Sequence, residues 1–281
     1  MLNAMINFII FLQSLSSPVL NGFLTAFNMF SQQYFLVLFV AVIYWLLDKR
    51  KGEHMAASLI FTVCLSCGIK GAFAFDRPFV LDSRIKGINT HTAPGYSFPS
   101  ADSAAAASIS STVSTWTSKP LFRWLLVIYT LLIGFCRMFF GLHFPTDVLG
   151  GYIIGFVISS LIGFAMKKLE SMSIFYGISA IILLSFALFP NQQKDYYNAI
   201  GLMLGAVVGI LIEHRFVHFD YNINRKRKAL RLALGLFCLI VIAVFCHLFL
   251  PDTKFFFVFD KFVLTFFATG IYPMIFKKFK F

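Results

Sequence analysis

Long apolar runs recur along this chain, and each is about as long as a helix that crosses a lipid bilayer. The run at 232–250, LALGLFCLIVIAVFCHLFL, contains no Asp, Glu, Lys or Arg. About 20 such residues span the hydrocarbon core as one helix. Only 13% of the residues are charged, whereas charged residues make up about a quarter of a globular chain. The sequence therefore predicts an all-α, polytopic membrane helix bundle.

We predict nine membrane-spanning helices, of which the last three extend a bundle of six. The predicted spans are 29–47, 54–75, 101–118, 121–140, 146–166, 173–189, 197–213, 229–250 and 257–276. We accordingly divide the chain into residues 1–189, a core, and 190–281, a three-span C-terminal extension. The first 15 residues are apolar with a weak polar face, so they predict a short interfacial helix ahead of the first span.

Basic residues collect in short tracts between the apolar runs. The tracts are DKRKGEH, MKKLE, NRKRKALR and IFKKFKF, and the formal net charge is +12. Lys and Arg accumulate on the cytoplasmic side of multi-pass proteins, so the alternation places the N-terminus and the connections 76–100 and 137–147 outside. This distribution argues against nucleic acid as a partner, and the sequence contains no zinc finger or aromatic-basic RNA motif.

Three cations stand at the outer ends of apolar helices. Lys70 and Arg77 bracket the end of the second span, and Arg137 lies near the end of the fourth. A single such residue would ordinarily reach the lipid headgroups on its flexible side chain. Three on one face, beside a histidine, instead predict an anion site, because Arg presents a planar fork of donors and Lys a compact charge.

Two helix starts lie beside these cations. In YSFPSAD, Ser100 stands where a helix begins, so its hydroxyl and the amides from Ala101 onward are candidate donors to phosphate oxygens. The alternative is an ordinary serine N-cap. In HFPTD, His143 precedes a helix whose first turn contains Asp147. A carboxylate there fixes the imidazole tautomer and leaves the other ring nitrogen free to attack; the alternative is an Asp stabilised by the helix dipole.

Together, these stretches resemble the signature of the type 2 phosphatidic acid phosphatase (PAP2) superfamily of integral-membrane phosphatases. That signature reads K-x6-R-P, then P-S-G-H, then S-R-x5-H-x3-D. The matching residues are Lys70, Arg77 and Pro78; then Pro99, Ser100, Ala101 and Asp102; then Cys136, Arg137, His143 and Asp147. Order and spacing agree across 70–147, and the six-helix family core fits the first six predicted spans.

The resemblance implies a role for each matched residue. His143 would be the nucleophile that forms a phosphohistidine, and Asp147 would orient it. The three cations and the Ser100 turn, with the Ala101 amide, would hold the phosphoryl oxygens. No metal or other cofactor is expected. Cys136 replaces the serine of the third motif, which is tolerable because the neighbouring arginine does the binding.

Asp102 is the more serious departure, because the family has a histidine there that acts as general acid for the leaving group. One interpretation is that Asp102 is itself a protonated acid, with burial favouring the proton and the nearby arginines opposing it. A second is that the substrate needs no acid, since a diphosphate expels a phosphate whose pKa is about 6. A phosphate monoester of an alcohol expels an alkoxide, for which the pKa of water, about 15.7, sets the scale. A third is that the site is impaired and turns over slowly.

These features predict a metal-independent lipid phosphatase, with undecaprenyl diphosphate or a related polyprenyl diphosphate as the best candidate substrate. We expect it to lie in the cell membrane, among membrane lipids, with the site on the extracytoplasmic face. His91, in the outer connection, is a further candidate for substrate contact. One alternative is a glucose-6-phosphatase-like enzyme for small sugar phosphates, and another is a catalytically impaired phospholipid-binding or carrier protein. The oligomeric state does not follow from the sequence.

Overall fold

The structure is a computed structural model that describes residues 1–279, and the regular secondary structure of these residues is entirely helical. Residues 280 and 281, the end of the predicted extension, lie outside the described residues. The N-terminal pair is α1 (Leu2–Ser14) and α2 (Pro18–Asn28). The core helices are α3 (Gln33–Val42), α4 (Lys49–Phe73), α5 (Pro78–Leu81), α6 (Ala101–Ser114), α7 (Pro120–Phe139), α8 (Pro145–Lys168) and α9 (Ser173–Ser185). The extension contains α10 (Lys194–Ile212), α11 (Arg225–Phe249), α12 (Lys254–Phe266) and α13 (Tyr272–Phe279).

The predicted all-α membrane bundle is confirmed. Among the described residues, six helices are long and apolar enough to cross a membrane, and a bent N-terminal pair would make a seventh. The six are Lys49–Leu81, Pro120–Phe139, Pro145–Lys168, Lys194–Val217, Arg225–Phe249 and Lys254–Phe276. They coincide with six of the nine predicted spans, and the chain is therefore a multi-pass membrane protein.

The other three predicted spans contain shorter helices. Two of them are apolar, Phe35–Leu47 and Ser173–Leu188. The third is α6, whose 14 residues rise only about 21 Å at about 1.5 Å per residue, against a hydrocarbon core of about 30 Å. Helix α6 can be this short because most of its Ala- and Ser-rich surface is buried against α4, α7 and α8 rather than exposed to lipid.

The helix predicted for the first 15 residues coincides with α1, and a second helix, α2, follows it after a sharp bend. Helices α1 and α2 meet at an angle of 113°, and α2 was not anticipated from the sequence. The break has a local cause, because Pro18 is the first residue of α2 and the Ser17 hydroxyl caps it by accepting from Leu20 N at 3.2 Å. Buried Ile6 and Ile9 of α1 form an apolar cluster with residues of the two connections described below.

Two connections lie at one end of the bundle, which we call the loop end: residues 74–100 and residues 140–144. The opposite end, which carries most of the basic tracts, is the basic end. Helices α6 and α8 fix the position of the loop end because they pack closely along small residues. A Cβ added at Gly151 or Gly155 of α8 would overlap the carbonyl oxygen of Ser100 or Ala104, respectively. Such small residues let two helix backbones approach, so the starts of α6 and α8 lie side by side.

The extension is fastened to the core at both ends. Helix α10 packs against α4 of the core and α12 of the extension. At the loop end, Gln192 Nε2 donates to Gly68 O at 3.0 Å. At the basic end, Lys49 of α4 pairs with buried Glu213 at 2.5 Å, and His214 Nε2 donates to Glu53 of α4 at 2.9 Å. The core and the extension therefore form one packed unit.

Candidate active site

The loop end brings together stretches that are far apart in the sequence. Ile88 N donates to Phe140 O at 2.9 Å, and Ser100 N donates to Asp147 O at 3.0 Å. The two connections thus meet at one face, as the sequence predicted. All eight predicted site residues lie at this end: Lys70, Arg77, Ser100, Ala101, Asp102, Arg137, His143 and Asp147.

His143 is buried in the connection before α8, where only 1% of its surface is exposed. Arg77 Nη1 lies 3.1 Å from His143 Nε2. Because a guanidinium only donates, Nε2 accepts with its lone pair and the ring proton must be on Nδ1. Burial first, and then the positive charges of Arg77, Lys70 and Arg137, lower the pKa of this imidazole well below its usual value. His143 is therefore neutral, and its Nε2 lone pair is directed at Arg77.

Asp147 lies behind the other ring nitrogen of His143. Its Oδ2 is 3.7 Å from His143 Nδ1, which is longer than a hydrogen bond. The same oxygen accepts from Phe144 N at 2.8 Å and from Ser97 Oγ at 2.6 Å. These two donors hold the carboxylate close to Nδ1. Asp147 is thus placed to orient the imidazole, and a small closure would complete the bond.

Ser97 is a site residue that the sequence reasoning missed. Besides its hydroxyl bond to Asp147, its carbonyl accepts from Lys70 Nζ at 3.2 Å, and its N–H donates to Phe75 O at 2.7 Å. One residue therefore joins the carboxylate, the cation and the end of α4. The only signal in the sequence was its position beside Pro99 in YSFPS, and that position does not reveal a partner 50 residues away.

Arg77 holds two loops together at the centre of the site. Its Nε and Nη2 donate to Gly95 O and Pro94 O, each at 2.9 Å, and its Nη1 donates to Leu142 O at 2.9 Å. These carbonyls belong to both connections, so the guanidinium fixes their spacing. Besides its predicted role as a phosphate ligand, Arg77 therefore holds the two connections together, because most of its five N–H groups already have protein partners.

Lys70 lies on the last turn of α4 and also contacts backbone. Its Nζ donates to Tyr96 O at 2.7 Å and to Ser97 O at 3.2 Å. An ammonium has three N–H donors, so one remains for a phosphoryl oxygen. The chain reverses immediately afterwards at Ala74, which has a φ of 53°, and this turn carries the backbone from α4 back over the site.

Arg137 pairs with Asp102, the residue that departs from the family signature. Arg137 Nη2 lies 3.0 Å from Asp102 Oδ2, and Nη1 donates to Thr92 Oγ1 at 3.2 Å. Among the described residues, Arg137 Nε has no hydrogen-bond partner although it is buried. Asp102 therefore occupies a donor that a phosphoryl oxygen would otherwise use, while another donor of the same guanidinium is unsatisfied.

The start of α6 has the geometry expected from the sequence. Ser100 is fully buried and caps the helix, accepting from Ser103 N at 3.4 Å, and its hydroxyl lies 2.9 Å from Ser103 Oγ. Ala101 is the first helical residue. The Ser100 hydroxyl is thus used within the helix, so the free amides and the positive end of the helix dipole are the groups that α6 offers to an anion.

The extension also reaches the site, which the sequence reasoning did not anticipate. Asp195, in the first turn of α10, lines the same cavity as Asp102, Thr92 and His91. Gln193 lies against Gly95 of the loop that Arg77 holds. Within residues 1–279, no group of three or more His, Cys, Asp or Glu side chains is placed to hold a metal ion.

Two matches to one superfamily cover most of the chain. The PAP2 superfamily matches residues 53–169, and "PAP2 superfamily phosphatase, transmembrane extension" matches residues 197–281. A solved structure, LpxE of Aquifex aeolicus, aligns with a TM-score of 0.51 and 25% identity, over 56% of this chain and 92% of that one. The chain belongs to the PAP2 superfamily, as its signature indicated.

Two curated relatives are similar to parts of the chain. Undecaprenyl-diphosphatase BcrC of Bacillus subtilis (strain 168) is 38% identical over 85 residues, which is 30% of this chain and 42% of that protein. The undecaprenyl-diphosphatase of Sulfolobus acidocaldarius is 25% identical over 154 residues, which is 54% of this chain and 71% of that protein. The match to the first relative thus spans less than half of its length.

Proposed function

We propose that this protein is a membrane-embedded lipid phosphatase that works through a phosphohistidine on His143. The observation that carries the proposal is the neutral, buried imidazole, whose Nε2 lone pair lies 3.1 Å from a donor of Arg77. A phosphoryl group that takes the place of this hydrogen bond would meet a nucleophile at phosphorus and positive charge at its oxygens. Positioning and charge stabilisation of this kind supply most of the catalysis of phosphoryl transfer.

The reaction takes place in two displacements at phosphorus. In the first, the Nε2 lone pair forms the N–P bond while the bond from phosphorus to the leaving oxygen breaks and its electron pair stays on that oxygen. The imidazole then keeps its Nδ1 proton, whose positive charge Asp147 stabilises. In the second, a water oxygen attacks phosphorus, the N–P bond breaks, and the water proton is released. The electron pair of the N–P bond returns to Nε2, so free phosphate is formed and the neutral histidine is restored.

The preferred substrate is a lipid diphosphate, with undecaprenyl diphosphate as the best candidate. Asp102 stands where the superfamily signature has a histidine acid and is paired with Arg137 at 3.0 Å. A diphosphate releases a phosphate, whose pKa is about 6, so it departs without a strong acid. Both curated relatives are named undecaprenyl-diphosphatases, which supports the same substrate class.

The proposed location is the cell membrane, with the active site on the extracytoplasmic face. The basic end carries the tracts beginning at Lys49, Lys167 and Arg225. Lys- and Arg-rich connections remain in the cytoplasm, so the loop end would face outward. The proposal includes the division of the chain at residue 190, between a phosphatase core and a three-span extension.

Phosphate release from purified protein tests this function. The panel contains a polyprenyl diphosphate, lipid monophosphates and glucose 6-phosphate, with wild type beside His143→Ala and the matched control His247→Ala, an exposed histidine on α11. We expect release from the polyprenyl diphosphate, loss of release in His143→Ala, and no change in His247→Ala. An acid-labile phosphoprotein should form with substrate in wild type and His247→Ala but not in His143→Ala.

The panel also separates the alternatives. Release from glucose 6-phosphate in preference to every lipid would indicate the sugar-phosphate enzyme. No release from any substrate, combined with tight lipid phosphate binding, would indicate a binding protein and would refute the proposed function.

A further inference from the structure

A cavity of about 430 Å³ lies between the core and the extension. Helices α3, α4 and α6 form its wall on the core side, and α10 forms the facing wall, with α11 and α12 contributing at the basic end. Most of the lining side chains are aliphatic, among them Leu36, Val40, Leu59, Val63, Leu202 and Ile210. A mainly apolar lining of this kind favours a hydrocarbon occupant.

The cavity is continuous with the candidate phosphate site. Thr92, Pro94 and Asp102 line its end nearest the loop end. Each of them also touches one of the arginines, since Thr92 and Asp102 contact Arg137 and the Pro94 carbonyl accepts from Arg77. A molecule with its phosphate at the arginines would therefore extend directly into the cavity. That molecule must be an amphiphile, with an anionic head and an apolar body.

The cavity is also long enough for a lipid chain. Its lining on α10 runs from Asp195 to Ile210, which corresponds to about 22 Å at about 1.5 Å per residue. This is about three-quarters of the thickness of the hydrocarbon core, which is about 30 Å. The polar lining residues Asp195 and Asn198 are near the phosphate site, whereas Trp45 and Ala268 line the far end. The cavity therefore has the polarity of a lipid lying along the membrane normal.

We propose that this cavity holds the hydrocarbon chain of the lipid whose phosphate is at His143, so that the extension forms one wall of the substrate site. The inference rests on the proposed function, because it assigns the chain of the same substrate. The alternative occupant is bulk membrane lipid. The two are distinguished by whether occupation of the cavity requires a phosphate group on the lipid.

A substitution that fills the cavity should impair hydrolysis of substrates with a long hydrocarbon chain more than that of substrates with a short one. Ala206 on α10 is 3% exposed and lines the cavity, whereas Val208 on the same helix is 38% exposed. We expect Ala206→Phe to lower kcat/KM about tenfold or more for a polyprenyl diphosphate and less than about twofold for a short, water-soluble alkyl diphosphate. Val208→Phe should change neither. Equal losses on both substrates, or no loss on either, would overturn the proposal.

The proposed function fails in a different way, because wild type would then hydrolyse neither substrate. If Ala206→Phe does not fold, Val40→Phe fills the cavity from α3, with exposed Leu38→Phe as its control. A photoreactive alkyl diphosphate bound to the His143→Ala protein gives a readout without turnover. Photolabelling of Val63 or Leu202 that a lipid diphosphate prevents supports the proposal. Prevention of labelling to the same extent by a phosphate-free lipid would contradict it.

Discussion

Two replacements of Asp102 separate its competition with phosphate for Arg137 from the lack of a histidine acid at this position. Its Oδ2 lies 3.0 Å from Arg137 Nη2, so phosphate must displace a carboxylate to use that donor. A hydrogen bond to a charged group contributes about 1.5–3 kcal/mol net, which corresponds to about 10- to 150-fold in affinity. The Asp102 side chain is 21% exposed, so solvent screening favours the lower limit. Asp102→Asn should therefore lower the inhibition constant for inorganic phosphate about tenfold.

Asp102→His adds a proton donor to the same change. A general acid contributes about 10²–10⁴-fold when the leaving group is a poor one. For a lipid monophosphate, we therefore expect kcat/KM of Asp102→His to exceed that of Asp102→Asn by about 10²–10⁴-fold. For a lipid diphosphate, whose leaving phosphate has a pKa of about 6, the two variants should differ little.

The assay is phosphate release from both substrates by wild type and the two variants, at matched detergent and ionic strength. Equal gains of Asp102→His on monophosphate and diphosphate would refute the leaving-group argument. A fall of about 10²-fold or more in Asp102→Asn on the monophosphate would show that Asp102 is itself the acid. Unchanged phosphate inhibition in Asp102→Asn would refute the competition for Arg137.

Three other perturbations test the packing and electrostatics of the site. Gly155→Ala should cost about 1–3 kcal/mol by overpacking α6 against α8, whereas Gly177→Ala, with no atom within 4 Å of an added Cβ, should be neutral or slightly stabilising; equal melting temperatures in detergent would contradict the close contact. Ser97→Ala removes the 2.6 Å bond to Asp147 and should lower kcat about tenfold with little change in KM, while Ser97→Thr should restore it; a loss confined to KM would argue against a positioning role. Because the folded-state pKa of His143 is lowered, the nucleophile should stay neutral below about pH 6.5, the ordinary histidine value, and should lose its activity only as pH falls through the lower, folded-state pKa. The free energy of unfolding should also decrease as pH falls below about 6.5, because His143 then binds a proton in the unfolded chain but not in the native site. An NMR titration of labelled histidine should show no His143 transition near pH 6.5, and a transition there would contradict the burial argument.

The sequence predicted the convergence of the site better than its internal contacts. Charge alternation was enough to place the connections 76–100 and 137–147 at one end, because each apolar run reverses the side. Motif spacing then selected Lys70, Arg77 and His143. Neither pattern encodes a partner for an individual donor, so the use of Arg77 to hold backbone carbonyls was not predictable.

The sequence predictions failed where contacts between helices, rather than the hydropathy of the chain, determine the structure. Helix α6 was predicted as a full span, 101–118, but it ends at Ser114, and neighbouring helices bury most of its surface. Asp195 falls between the predicted spans 173–189 and 197–213, and nothing in the sequence shows that α10 packs on α4 and brings its first turn to the site. Both errors concern contacts between helices, and hydropathy measures only contact with lipid.

The side chain of Gln13 links the N-terminal helix to the catalytic connections. Its amide nitrogen donates to Lys86 O at 2.7 Å and Phe139 O at 3.0 Å, and its amide oxygen accepts from Lys86 N at 3.0 Å. Helix α1 precedes both stretches that match the superfamily, which begin at residues 53 and 197. The segment with the least family resemblance thus helps to shape the surroundings of the nucleophile. Relatives that share every signature residue can therefore still differ in the shape of the connections around the nucleophile, through changes confined to their first few turns.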